Sequence, residues 1–95
     1  MSYAERAYKL SPGDPATQDT LGWLLVQKKQ TARGLDLLKQ AAAKAPQIAE
    51  IRYHLAVAYA NSGQKAQAKQ ELSSLLRSGK IFPQRKEAQT LLDQL

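Results

Sequence analysis

His54 is the only histidine in the chain, and an imidazole can shuttle protons or ligate a metal. Both tasks need companions. Glu50 lies one helical turn earlier and offers a single carboxylate, but the chain has no cysteine and no second histidine to complete a zinc site. A Glu and His four residues apart on a helix more often make a surface contact, so the sequence favours a solvated histidine. The serines have no neighbouring base and form no acyl-transfer triad. Five glycines include no phosphate-cradling cluster, because Ser11-Pro12-Gly13 reads as a turn between helices and does not follow a strand. No two acids sit close enough in sequence to suggest the carboxylate pair of glycoside hydrolysis. The expectation is a non-enzymatic chain with no catalytic, cofactor or metal site.

Fourteen Lys and Arg against eight Asp and Glu give the 95 residues a formal charge of +6. Such a field attracts acidic partners but does not specify a fold. Lys28-Lys29 and Arg85-Lys86 are the densest pairs, short of the run of five or more that marks a nucleic-acid patch. Solvated surface is therefore the favoured reading of these charges, and binding of nucleic acid or another anionic polymer is the alternative. That alternative would show itself in a steep loss of affinity with salt. No stretch approaches the roughly 18 apolar residues of a spanning helix, so no direct membrane insertion is expected from this segment. Without cysteine the fold must rest on packing, and that absence does not identify a compartment.

Whatever site exists must be positioned by helices, since no run alternates with period two for long enough to be a strand. Residues 2–10 predict a short helix, with Ala4, Ala7, Tyr8 and Leu10 near one another on a 3.6-residue period. Asp14 then offers an N-cap acceptor and Pro15 a pre-set first helical residue for a helix running to about Lys28. Leu21, Leu24, Leu25, Trp23 and Val26 give that helix either a wide buried stripe or two occupied faces. Thr31 is the expected cap of the next helix, whose Leu35, Leu38, Ala41, Ala42 and Ala45 end at Pro46. Ile48, Ile51, Leu55, Ala58 and Tyr59 form one face of a further helix before Ser62-Gly63, and Leu72, Leu75 and Leu76 mark its partner. After Gly79 a loop through Phe82-Pro83 leads to a last helix carrying Ala88, Leu91, Leu92 and Leu95.

A fixed offset of thirty-four residues links Pro12 with Pro46, Ala7 with Ala41, Leu21 with Leu55 and Leu38 with Leu72. Each unit is then one supersecondary piece that must stack on a neighbour to bury its apolar face. Small residues twelve apart, Gly22 with Gly34 and Ala56 with Ala68, let the two helices of one hairpin approach closely. These residues resemble a tetratricopeptide repeat, whose pattern runs Trp, two spacers, Leu-Gly, two spacers, Tyr, and later Ala, an aromatic and Pro. In the first full unit Gln18 stands at the Trp position, Leu21-Gly22 match, Leu25 replaces the Tyr, Gly34 takes the small position, Leu38 the aromatic one, and Pro46 closes the unit. In the second, Arg52, Leu55-Ala56, Tyr59, Ala68, Leu72 and Lys80 occupy the same positions, with the closing proline displaced to Pro83.

The resemblance implies an all-α superhelix of about six helices in one domain spanning 1–95. Residues 1–12 would be the second helix of a truncated repeat, 15–46 and 49–80 two full repeats, and 84–95 a capping helix with Arg85, Lys86, Glu87 and Asp93 on its outer side. The chain would start part-way through a longer repeat protein, and Leu95 would be its natural end. The stretches DTLGWLL, IRYHLAVAYANSGQKAQAKQEL and FPQRKEAQTLLDQL are similar to C-terminal repeats of bacterial lipoproteins accompanying exopolysaccharide export and PEP-CTERM protein sorting. That likeness implies an envelope-anchored scaffold held by an upstream segment; a cytoplasmic scaffold is the other setting.

In such a repeat the first helix of each pair lines the concave side, which implies a peptide-binding groove of Asp19, Trp23 and Gln27, then Glu50, Tyr53, His54, Val57 and Asn61. Trp23 falls about 160–200° from Leu21 and Leu25 at roughly 100° per residue, so it cannot share their burial. It reads equally as an anchor for a partner or as packed on the preceding short helix. The lining implies a peptide with apolar anchors and a basic residue. It lacks the Lys, Asn and Arg that a chaperone-tail clamp uses to hold a terminal carboxylate. The expected function is a non-catalytic scaffold with a protein or peptide partner; structural capping or self-association is the third reading.

Overall fold

A computed structural model describes residues 3–79 and 81–95, with side chains from residue 5, so expectations for Met1, Ser2, Lys80 and the Ala4 side chain lie outside the described residues. Six helices follow one another: α1 (Tyr3–Leu10), α2 (Pro15–Gln27), α3 (Thr31–Lys44), α4 (Ala49–Asn61), α5 (Lys65–Arg77) and α6 (Arg85–Gln94). The described residues contain no strand. α2 pairs with α3 and α4 with α5, α4 stacks on the first pair, and α1 and α6 flank the two ends.

Local chemistry sets the helix ends. The Asp14 carboxylate accepts from the Ala16 N–H at 2.9 Å, and Pro15 follows at a position whose N–H would have no helical partner. α2 closes with the Lys29 N–H on the Val26 carbonyl and the Gln30 N–H on the Leu25 carbonyl, and α4 closes likewise through Gly63 and Gln64. This closure requires a left-handed residue, which is Gly63 (φ 82°) in one unit but Lys29 (φ 65°) in the other. Thr31 is therefore not a cap. The turn at Lys29 starts the helix sooner, with Gln30 as N-cap without a side-chain bond and Thr31 already helical. Replacing Lys29 by glycine removes the Cβ penalty of the left-handed region, and we expect it to raise stability by about 0.5–1 kcal/mol in urea denaturation.

The hairpins close on small residues. A Cβ placed on Gly34 would meet the Gly22 carbonyl oxygen at 2.6 Å, and one on Gly22 would meet Leu38 Cγ at 2.9 Å. Ala56 and Ala68 are fully buried at the matching positions of the second hairpin. The register is visible in polar contacts too. Gln18 Nε2 donates to Gln40 Oε1 at 3.1 Å, and thirty-four residues on Arg52 Nη2 donates to Ser74 Oγ at 3.0 Å, so each substitute for the repeat tryptophan ties the two helices of its own pair. Arg52 also binds Glu71 at 2.8 Å.

α2 has two occupied faces. Leu21 and Leu25 pack with Leu37 and Tyr8 toward α1, whereas Val26 joins Leu35, Leu38, Leu55 and Ala58 between the two pairs. Two apolar expectations fail. Leu10 is 85% exposed at the end of the short α1, and Ile48 is 42% exposed because it is the extended N-cap of α4 and leaves the helical face that its spacing suggested. Conversely, Phe82 in the loop before α6 is buried with Ala56, Leu72, Leu75 and Ala88, and so fixes where the last helix docks. α2 and α4 begin thirty-four residues apart, but α4 and α6 thirty-six, so the loop carrying Phe82 absorbs two extra residues.

Candidate functional site

The first helices α2 and α4 meet through side chains that lie about one repeat apart in sequence. Asp19 and Trp23 are successive turns of one face of α2, and Tyr53 and His54 project from α4 toward them. His54 Nδ1 lies 2.7 Å from Asp19 Oδ1. A carboxylate oxygen accepts here, so Nδ1 carries the hydrogen and the ring is fixed in orientation. The imidazole stacks on the Trp23 indole with centroids 4.2 Å apart and planes 17° from parallel. Tyr53 completes the group at 6.4 Å from Trp23 and 5.9 Å from His54, both tilted.

His54 is not the solvated residue its spacing suggests. It is only 8% exposed, because α2 covers the side of α4 that lies just off the Ile51 and Leu55 stripe. Trp23 likewise does not pack on α1; it lies forward on α4, partly exposed, against the cluster of Val26, Leu55 and Ala58. Of the other expected groove residues, Val57 packs partly on that cluster. Glu50 in the first turn of α4, and Gln27 and Asn61 at the ends of α2 and α4, are exposed and outside the aromatic group. Burial, and then the field of Glu87 on α6, raise the Tyr53 phenol above its ordinary pKa and keep it protonated. Glu87 was expected on the outer side of the last helix; it is exposed there, and its field still reaches Tyr53.

Charge is distributed unevenly around this group. α2 carries no Lys or Arg, and the single cation of α4, Arg52, is held by Glu71 and Ser74 on α5. Asp19 and the exposed Glu50 then give the first-helix side an acidic character in a chain of net charge +6. Among the described residues no three His, Asp or Glu side chains group as a metal site would require, and no helix is long and apolar enough to cross a membrane.

Helix pairs recurring at thirty-four residues, closed on small side chains and joined through their first helices, match a known family: the profile described as tetratricopeptide repeat covers residues 25–95. The chain belongs to the tetratricopeptide repeat family. No curated protein and no solved structure matches it. Tetratricopeptide repeats generally mediate protein–protein interaction, and the family is typically a non-catalytic scaffold. Here Trp23, His54 and Tyr53 form the joint between α2 and α4.

Proposed function

We propose that this tetratricopeptide protein is a non-catalytic scaffold that binds a peptide or protein segment along the side formed by α2 and α4. The observation that carries this reading is the partly exposed Trp23, held in one orientation by a buried histidine that is itself fixed by Asp19. A pre-ordered aromatic ring offers a large contact area with little rotamer entropy left to lose. Residues 15–46 and 49–80 are the two full repeats in this reading, with residues 1–12 the second helix of a preceding unit and 84–95 the cap. The bound segment contributes an apolar side chain opposite Trp23 and Tyr53, with at most one cation opposite the exposed Glu50. Because the bound segment makes at most one ion pair, its affinity should fall little with salt.

The test is to pan a random peptide library on the whole chain and titrate a selected peptide by fluorescence anisotropy. Trp23→Ala is expected to weaken binding at least tenfold, in line with the more than about 1 kcal/mol lost when an aromatic anchor is truncated. Circular dichroism checks that the helices persist. Unchanged affinity in a folded Trp23→Ala variant would remove this face as the binding site.

A further inference from the structure

Cations that stand in the sequence as singles and one pair are gathered by the fold. Leu35 and Leu38 of α3 meet Leu55 and Ala58 of α4, while Ala41 and Ala45 meet Ile51, so α3 and α4 run antiparallel. The turns that follow α2 and α4 therefore lie at the same edge of the stack. That edge carries Lys28, Lys29 and Arg33 around the first turn, and Lys65 and Lys69 at the start of α5, all exposed. No acid occurs between Thr20 and Leu35 or between Asn61 and Gln70. Among the described residues the ion pairs are Arg52 with Glu71 and His54 with Asp19, and neither takes up any of these five cations.

One of the five stands where its conformation lowers stability. Lys29 holds the left-handed conformation that Gly63 occupies in the sister unit, and a residue strained in this way points to a use for its side chain. The N-caps Gln30 and Gln64 make no side-chain cap bond, so the positive ends of α3 and α5 add to the same field. The acids of this edge are at its flanks. Glu5 of α1 lies in the cleft that Arg33 also lines, and Asp93 near the end of α6 accepts from Gln89.

What this edge lacks selects its partner. The exposed large apolar residues Leu10, Ile48 and Ile81 all belong to the other set of connections, at the opposite edge, so the basic edge offers no apolar anchor to a membrane or an amphipathic peptide. It also offers no ring on which bases could stack, since Tyr59 near the end of α4 packs on the core and lies under Lys39. Charge alone remains. Exposed ion pairs with single carboxylates add little, whereas a polymer of closely spaced phosphates releases its condensed counterions when cations neutralise it. We propose that the edge formed by Lys28, Lys29, Arg33, Lys65 and Lys69 docks on the phosphate backbone of a nucleic-acid duplex without reading its sequence. Ammonium and guanidinium contacts to phosphate position a protein on a duplex and carry no base information. This site is separate from the acidic side carrying Trp23, so a protein segment and a duplex are held at different places on the chain.

The probes are two fluorescein-labelled 20-bp DNA duplexes of unrelated sequence, titrated against the whole chain in 50 mM and 200 mM salt. An RNA duplex run beside them separates the two sources of the same phosphate ladder, and binding of either supports the proposal. We expect the two DNA sequences to bind within about twofold of each other, and the higher salt to weaken binding roughly 150- to 500-fold, as four to five neutralised phosphates require. Lys29→Gly should lower the salt slope by about one and weaken binding severalfold, although the variant is the more stable protein. Lys28→Gln with Lys65→Gln should cost at least tenfold. Lys9→Gln with Lys86→Gln makes the same charge change at the opposite edge and should cost less than threefold, and Trp23→Ala should leave binding unchanged. Equal losses from the two double variants would show only the diffuse field of a +6 chain and overturn the proposal. So would polyglutamate, a single strand or anionic vesicles bound as tightly as the duplexes, a tenfold preference for one DNA sequence, or no duplex bound in 50 mM salt.

Discussion

His54→Ala is expected to destabilise the protein by about 3 kcal/mol, the sum of a lost buried ring and a carboxylate left without its donor. At roughly 4–8 °C per kcal/mol for a domain of this size, the melting temperature should fall by about 15 °C. The ring is 8% exposed, sits 4.2 Å from the Trp23 centroid and bonds Asp19 at 2.7 Å, so alanine opens a gap at the joint between repeats. His54→Phe keeps an aromatic partner for Trp23 and loses only the polar half, which should cost about 1–2 kcal/mol. The order wild type, Phe, Ala in urea midpoints checks the assignment of both halves. A cycle with Asp19→Asn should show coupling of at least about 0.5 kcal/mol, as expected for groups in direct contact. If alanine costs less than 0.5 kcal/mol, the joint is not a structural element, and the pre-ordering of Trp23 goes with it.

Gly34→Ala should lower stability by about 2 kcal/mol net, with overpacking of about 3 kcal/mol offset by about 1 kcal/mol of better helix propensity. The new methyl would sit 2.6 Å from the Gly22 carbonyl oxygen and 2.8 Å from Val26 Cγ2, and the first of these is backbone that moves only if the hairpin opens. Gly13→Ala is the control, since its nearest neighbour is the mobile end of Lys44 at 3.6 Å. A melting temperature lower by about 10 °C for Gly34→Ala and unchanged within about 2 °C for Gly13→Ala is the expected pair of results. A neutral Gly34→Ala would mean that α2 and α3 can separate as α4 and α5 already do around Ala56 and Ala68.

Much of the helical framework was legible because it depends on local rules. Asp14 and Pro15 cap and start α2 by chemistry confined to a few residues, and Gly63 closes α4 in the left-handed conformation that glycine adopts at low cost. The thirty-four-residue period and the small residues on facing helices were equally readable, because a stack repeats the same contact in each unit. Lys29 was harder to read, since a lysine takes the position where the sister unit has glycine, and only the completed turn shows that it is left-handed. Ile48 and Leu10 fit an apolar period that the helices do not honour at their ends, where one residue is an extended cap and the other belongs to a short edge helix.

The sequence by itself determined the helices, their pairing and the family, because capping, period and close approach are encoded within a single repeat. It also put Asp19, Trp23, Tyr53 and His54 in one list of candidates. The tertiary structure alone decided that Asp19 and His54 are bonded, that Trp23 lies forward on α4, and that Phe82 seats α6. Those facts depend on how one unit is rotated against the next. That rotation is fixed by side-chain packing between residues a repeat or more apart, to which a local pattern is blind.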